Sequence, residues 1–192
     1  MKRSPEGNSD VSDDAYAALL RGVNVGGKNK LPMKDLAALF ESLGCRAVRT
    51  YIQSGNVVFR ATPEVYVGLA ARVAEGLRAR FELDVPVVLR GADALARAID
   101  ASPFLAAGCD PASLHVMFLR DTPDAARASK LDANRSPGDA FALLGREVHL
   151  HCPNGLARTK LTNDYFDRAL ATVSTVRNWR TVLTLRDMMK GA

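Results

Sequence analysis

Short strand-like segments and amphipathic helical segments alternate along this chain in one order, β-α-β-β-α-β. The clearest part of that order is a hairpin. Residues 47–53 and 56–60 are rich in β-branched and aromatic side chains, as β-strands are. Ser54 and Gly55 lie between them, and the glycine supplies the positive φ that a tight turn requires. The sequence therefore predicts two adjacent antiparallel strands at this point.

The segments around the hairpin complete one folding unit. The apolar run 15–24 predicts a buried strand followed by a loop. Apolar residues at helical spacing predict a helix from Pro32 to Leu43, since proline suits a first turn and Gly44 follows the last one. A second helix beginning at Pro63 and a strand at 85–89 follow. In this split βαβ order, both helices pack on one face of a four-stranded antiparallel sheet.

The second half of the chain repeats the order. A strand is predicted at 114–119, a short helix at 123–130, a hairpin at 140–144 and 147–151, a helix at 162–170 and a short strand near Thr172. Ser174 or Thr175 is predicted to cap a last helix. We therefore predict an α+β protein made of two ferredoxin-like (β-α-β-β-α-β) subdomains. The predicted boundaries are a disordered tail at 1–14, subdomain 1 at 15–91, a connecting helix and linker at 92–110, and subdomain 2 with the C-terminal helix at 111–192.

Composition limits the class of protein. The 192 residues contain no apolar run near the roughly 20 residues that span a bilayer, and the N-terminus has no apolar signal segment. Three widely spaced cysteines suggest neither a disulfide framework nor a zinc ribbon. We therefore expect a cytoplasmic protein without membrane contact, with reduced thiols and without a cofactor. The net charge of +5 favours anionic partners only if the positive groups share one face.

Four segments together resemble the DUF1697 family, whose function is uncharacterised. They are LLRGVNVGGKNKLPM at 19–33, TYIQSGNVVF at 50–59, TKLTN at 159–163 and TVRNWRTV at 175–182. The resemblance implies a cytoplasmic bacterial-type protein with two ferredoxin-like subdomains, and it implies no activity. Family members typically read SKLT where this chain has Thr159 before the lysine, a change that keeps the hydroxyl.

Residues 22–29 nearly spell a phosphate-binding loop, GxxxxGK[ST], after a buried strand. Asn29 replaces the hydroxyl that would hold Mg²⁺, and Pro32 begins the helix too late to meet a phosphate cradled by Lys28. A Walker-type NTPase is therefore not predicted. A glycine-rich anion nest and a flexible connection both remain open for this loop.

Ser54 and the histidines near residue 150 could be a nucleophile and metal ligands, but a structural role explains each of them better. Ser54 lies in a turn without a neighbouring base, so turn chemistry explains it better than catalysis does. His149 and His151 face the same side of a strand, but too few donors surround them for a metal site, and no metal is predicted.

The remaining candidates lie at two predicted helix N-termini, where backbone N–H groups favour anions. We predict a ligand site between the subdomains, formed by Arg21, Asn24, Gly26, Gly27, Lys28, Gln53, Ser54, Asn56, Lys160, Arg177, Asn178 and Arg180. No catalytic residue is named, so an enzyme and a simple binding protein both stay open.

The predicted ligand is a small anionic or phosphorylated molecule, held by charge-assisted hydrogen bonds. One alternative is a nucleic-acid-binding module, since ferredoxin-like sheets stack bases in RRM domains; the RNP1 pattern is absent, however, and aromatic residues make up only 6% of the chain. The other alternative is a protein-interaction domain without a ligand. The sequence indicates no oligomeric state.

Overall fold

A computed structural model describes residues 13–191 of the chain. The predicted disordered tail at 1–14 lies outside these residues except for its last two positions, and Asp14 already begins the first strand. No helix within residues 13–191 is long and apolar enough to cross a membrane.

The first half forms one four-stranded antiparallel sheet in the order β2-β3-β1-β4. Its elements are β1 (Asp14–Leu20), α1 (Met33–Ser42), β2 (Arg46–Tyr51), β3 (Asn56–Ala61), α2 (Pro63–Tyr66), α3 (Leu69–Phe81) and β4 (Val87–Gly91). The helix predicted from Pro63 is divided in two, because Gly68 between α2 and α3 adopts a left-handed φ of 70°.

The second half forms an equivalent sheet in the order β6-β7-β5-β8. Two helices, α4 (Ala92–Asp100) and α5 (Pro103–Ala106), and a single 3₁₀ turn connect the halves. The elements that follow are β5 (Leu114–Leu119), α6 (Ala125–Ala128), β6 (Ala140–Leu144), β7 (Glu147–His151), α7 (Asn163–Leu170), β8 (Ser174–Asn178) and α8 (Trp179–Lys190). Both sheets have the ferredoxin-like order, so the predicted fold class is confirmed.

The cap of the last helix was predicted wrongly. Ser174 and Thr175 do not cap the last helix; they lie in β8, opposite Leu119 and Phe118 of β5. The cap is Asn178, whose Oδ1 accepts a hydrogen bond of 2.8 Å from the backbone N–H of Thr181. Serine and threonine are suited both to a helix cap and to an edge strand. Hydrogen-bonded pairing with β5 places them in the strand.

Helices cover both faces of each sheet. One core lies between the first sheet and α1 and α3, and another lies between the second sheet and α7. A third core joins the inner faces of both sheets to α4 and α8, with Trp179 and Leu185 of α8 packed among residues of β1 and β5. The two halves therefore share one layer of helices between their sheets.

Candidate functional site

A cleft of about 470 Å³ lies where the two halves meet, along the edge strand β8. The ends of β1 and of the β2–β3 turn form one wall, and β8 with the start of α8 forms the other. Its polar lining consists of Arg21, Ser54, His115, Asn163, Thr175, Arg177, Asn178 and Thr181. Because both halves contribute residues, the cleft exists only when they are packed together.

Arg177 is the main charged group of the cleft and is 9% exposed. Its Nε donates to Asn56 Oδ1 at 2.5 Å, and its Nη2 donates to the carbonyl oxygen of Leu20 at 2.6 Å. Nη1 donates to Thr175 Oγ1 at 2.7 Å and to the carbonyl oxygen of Val176 at 2.8 Å. The guanidinium thus joins β8 to the first sheet through neutral acceptors.

A second arginine occupies the equivalent place in the other half. Arg90 is the fourth residue of β4, as Arg177 is the fourth residue of β8. Its Nη2 donates to the carbonyl oxygen of Leu119, the last residue of β5, at 2.6 Å. Its Nε donates to Glu147 Oε1, at the start of β7, at 2.7 Å. Each half therefore extends one buried arginine into the other half, in matching geometry.

The two arginines differ in what faces their Nε atoms. Glu147 gives Arg90 a carboxylate, whereas Asn56 gives Arg177 a neutral amide, and Arg177 forms no ion pair among the described residues. Burial lowers the pKa of Arg90, and the nearby Glu147 opposes that change. Burial alone lowers the pKa of Arg177, to about 10. Arg177 is still charged at neutral pH, and its positive charge is not compensated.

The other strong cation of the cleft is already paired. Arg21 Nη1 lies 2.5 Å from Asp167 Oδ2, which places this ion pair between the two halves. The other oxygen of Asp167 accepts a hydrogen bond of 2.6 Å from Ser174 Oγ, which in turn accepts from Asn163 Nδ2 at 2.8 Å. This network is close to neutral in charge, so the uncompensated charge of the cleft is that of Arg177.

His115 supplies a neutral base to the lining. Its Nδ1 lies 3.2 Å from the carbonyl oxygen of Ser113, and a carbonyl oxygen only accepts, so Nδ1 carries the proton. Burial lowers the pKa of His115, which makes the neutral form the main one at pH 7. In that tautomer Nε2 is a hydrogen-bond acceptor.

Two exposed apolar side chains flank the polar lining. Val25 of the glycine-rich loop and Ile52 of the β2–β3 turn are 61% and 54% exposed. Ile52 also adopts a φ of 47°, which is strained for a β-branched residue. The cleft therefore combines a cationic floor with an apolar rim.

The structure brings some of the sequence-predicted site residues to the cleft. Arg21, Ser54, Arg177 and Asn178 line it, and Asn56 lies behind Arg177 as its hydrogen-bond acceptor. Asn24 has a structural role: its Oδ1 accepts from the N–H of Leu31, and its Nδ2 donates to the carbonyl oxygens of Leu31 and Gln53. These bonds hold the glycine-rich loop against the β2–β3 turn.

The other predicted residues are exposed and are not part of the lining. They are Gly26, Gly27, Lys28, Gln53, Lys160 and Arg180. Their contact with a ligand stays a prediction.

The predicted site omitted four residues of the polar lining: His115, Asn163, Thr175 and Thr181. His115 stands alone in an apolar strand, and a single histidine there gives no motif. Thr175 suits a helix cap by residue type, which concealed its place beside Arg177. Asn163 lies inside the TKLTN segment, so that segment was the available signal.

The histidines considered for a metal site lie on β7, and His149 is buried there. Within residues 13–191, no group of three or more histidine, cysteine, aspartate or glutamate side chains is arranged to hold a metal ion.

The fold and the cleft together define a two-subdomain α+β protein whose ferredoxin-like halves enclose a cationic cleft. The chain belongs to the DUF1697 family, a family of proteins of unknown function, whose model matches residues 14–149. This match confirms the resemblance found in the sequence. It ends before the TKLTN and TVRNWRTV segments, so much of the β8 wall lies beyond it.

A solved structure extends the comparison over nearly the whole chain. The conserved bacterial protein SP0830 from Streptococcus pneumoniae matches with a TM-score of 0.70 and 21% sequence identity, over 93% of this chain and 99% of that chain. At this identity the likeness shows the fold alone. A search of curated proteins found no match for this chain.

Proposed function

We propose that the cleft between the two halves binds a small anionic ligand. The observation that carries this proposal is the uncompensated charge of Arg177, in a position where the equivalent Arg90 has Glu147 as a partner. A buried charge without a counter-charge costs free energy, and an anion in the cleft would lower that cost.

The hydrogen bonds of Arg177 fix its position, but their neutral acceptors do not neutralise its charge. Its Nε, Nη1 and Nη2 atoms all reach acceptors, so an anion need not contact the guanidinium directly. The attraction is electrostatic and acts over several ångströms, since the surroundings are poorly screened. Asn178 and Thr181 at the start of the twelve-residue helix α8 also line the cleft, which adds the partial positive charge of a helix N-terminus.

The rim adds a requirement on the ligand. Val25 and Ile52 expose apolar area beside the cationic floor. A ligand with an apolar part would bind more favourably, because it would remove this area from water. Mononucleotides and coenzyme-like acyl or aromatic phosphates combine both features. They are therefore the first probes. Inorganic phosphate and sugar phosphates are the comparison probes, because they are anionic but have no apolar part.

The direct test supplies the missing carboxylate. Asn56→Asp keeps the size of the side chain and places a negative charge next to Arg177, as Glu147 does next to Arg90. In a calorimetric titration at physiological salt, the parent should bind at least one probe, and Asn56→Asp should bind it at least tenfold more weakly. Circular dichroism and unfolding curves establish that the variant is folded.

A surface pair of variants tests the rim. Ile52→Glu brings a negative charge to the cleft, whereas Val67→Glu makes the same change at a residue that is 74% exposed and is not part of the lining. Only Ile52→Glu should weaken binding. Equal affinities in the parent, Asn56→Asp and Ile52→Glu would overturn the proposal, and so would the absence of binding by every probe.

The same panel includes short single-stranded oligonucleotides, which test the nucleic-acid alternative. Binding only by oligonucleotides, with affinity falling steeply as salt rises, would favour it. The inner sheet faces, which an RRM-like reader would use, are packed against α4 and α8 here. The small-ligand proposal therefore has the stronger support.

A further inference from the structure

A second cavity, of about 280 Å³, lies between α4 and the β6–β7 hairpin. Helix α4 turns Ala94, Arg97 and Ala98 toward it, and Ala101 directly after the helix also lines it. Alanines at this helical spacing leave the space between helix and hairpin unfilled. None of the residues that line this cavity lines the cleft at β8.

His149 lies against this cavity and is 1% exposed. Neither of its ring nitrogens has a hydrogen-bond partner among the described residues. A buried polar group left without a partner destabilises the folded state, and native proteins rarely retain one without a reason. A bound molecule that bonds to the imidazole would supply such a reason.

The charges around the cavity are mainly positive. Arg97 of α4 and Arg146 of the β6–β7 turn line it, and neither forms an ion pair among the described residues. Glu147 also lines it, but its carboxylate is already paired with Arg90 at 2.7 Å. The cross-strand neighbours of His149 are Val116 and Ala142, which carry no charge. Two guanidinium groups and an imidazole N–H suit an oxyanion.

We infer that this cavity is a second ligand site, separate from the cleft at β8, which takes a small oxyanion, carboxylate or phosphate. Arg97 and Arg146 supply the charge, and His149 supplies a hydrogen bond from the buried side. An anion near the ring also favours the imidazolium form, so binding and protonation of His149 reinforce each other.

Histidine NMR of the whole chain can test this site without knowledge of the natural ligand, because the protein has three histidines. His149 reports on the second cavity, and His115 reports on the cleft at β8. The probes are inorganic phosphate and succinate, each compared with chloride at equal ionic strength. We expect phosphate or succinate to shift the ring signals of His149 and to raise its titration midpoint by about one pH unit or more.

Two matched variants identify the source of the shift. Arg97→Ala removes an exposed guanidinium of the cavity, and Arg80→Ala removes an exposed guanidinium of α3 in the other half. Arg97→Ala should weaken the anion-dependent shift of His149 about tenfold in apparent affinity, while Arg80→Ala should leave it unchanged.

The two probes also distinguish the class of oxyanion. A response to phosphate alone assigns a phosphate site, and a response to succinate alone assigns a carboxylate site. The inference is overturned if neither anion shifts His149 beyond the chloride control. It is overturned equally if both arginine variants behave as the parent does, or if Asn56→Asp abolishes the shift of His149, which would assign the effect to the cleft at β8.

Discussion

At the scale of single residues, Arg90 and Arg177 are two buried arginines in equivalent places that differ in whether a carboxylate neutralises their charge. Both guanidinium groups connect the halves through backbone carbonyl oxygens. Arginine suits this task because its planar fork directs several donors at fixed acceptors. The partner of Nε decides whether the charge is neutralised: Arg90 has the carboxylate of Glu147, and Arg177 has the neutral amide of Asn56.

Arg177 should be essential for stability as well as for the proposed binding. Arg177→Ala removes hydrogen bonds to Leu20 and Asn56 and leaves their oxygens buried, so we expect a loss of about 2–4 kcal/mol in the free energy of unfolding. Arg177→Lys should restore little of it, because an ammonium cannot reproduce the fork. Urea unfolding measures both, with the exposed Arg180→Ala as the control. Equal midpoints for Arg177→Ala and Arg180→Ala would contradict the structural role.

Cysteine reactivity is a second prediction at this scale. Cys45 and Cys152 are buried, and burial raises the pKa of each thiol to about 11. The thiolate is the reactive form, so both should react slowly with a disulfide reagent at pH 8. Cys109 is half-buried and should react first. Thiol titration of the native and the urea-unfolded protein should give one fast group and three groups, respectively; three fast groups in the native protein would contradict the packing.

At the scale of elements, the β2–β3 turn is positioned by a close backbone approach. Gly55 has a φ of 70°, and a Cβ built on it would lie 2.7 Å from Leu20 Cβ. The carbonyl oxygen of Gly55 accepts a hydrogen bond from the N–H of Leu20 at 2.8 Å. The turn is thereby held against the end of β1, which places Ser54 in the cleft.

Two glycine variants separate the close approach from the left-handed backbone. Gly145 also has a positive φ, of 61°, but a Cβ there would meet nothing closer than 4.0 Å. Gly145→Ala should therefore cost about 1–2 kcal/mol, for the backbone conformation alone. Gly55→Ala should cost about 1–3 kcal/mol more, because β1 has to move. Equal costs in urea unfolding would show that the turn and β1 separate readily.

At the scale of the whole molecule, the shared third core makes the two halves dependent on each other. Helix α8 belongs to the second half by sequence, yet Trp179 and Val182 pack in one core with Ala17 and Leu19 of β1. Because α8 packs against both sheets, separating the halves would uncover the inner face of the first sheet and one side of α8. This property is consistent with a cleft to which both halves contribute.

We therefore expect the separate fragments 1–110 and 111–192 to be unfolded or aggregated, because each would expose apolar side chains of the third core. Mixing the fragments should restore the circular dichroism spectrum and the thermal transition of the intact chain. Independent cooperative unfolding of either fragment would contradict this view of the third core.

Acid should destabilise the protein through its buried imidazoles. Burial lowers the pKa values of His115 and His149 in the folded state below the ordinary value of 6.5. Below about pH 6.5 the unfolded chain therefore binds more protons than the folded chain does. The free energy of unfolding decreases as the pH falls through this range. His149→Gln should reduce the slope of unfolding free energy against pH between about pH 6.5 and 5. An unchanged slope would show that His149 is not the titrating group.

Much of the fold was predictable from local sequence patterns. The hairpin at 140–151 was predicted to the residue, and α1 to within one residue at each end. These elements follow from side-chain periodicity and turn residues, which act over a few positions. The short strand predicted near Thr172 lies at Ser174–Asn178 instead, because its position depends on pairing with β5, about 60 residues earlier in the chain.

The candidate site was predictable only in part, for the same reason. Arg177, Asn178, Ser54 and Arg21 stood out by residue type and by motif, and the fold brings them together. Lys28 and Arg180 stood out equally and lie outside the lining. Residue type shows what chemistry a side chain can perform, but not which direction it faces.

The sequence by itself determined the element order, the ferredoxin-like class and the family, because hydrophobic period, turn residues and family segments are local properties of the chain. Only the tertiary structure decided that α4 and α8 lie between the sheets and that Arg90 has Glu147 while Arg177 has Asn56. Those partners lie 57 and 121 positions apart along the chain. Burial and charge compensation depend on such distant contacts, which no local pattern contains.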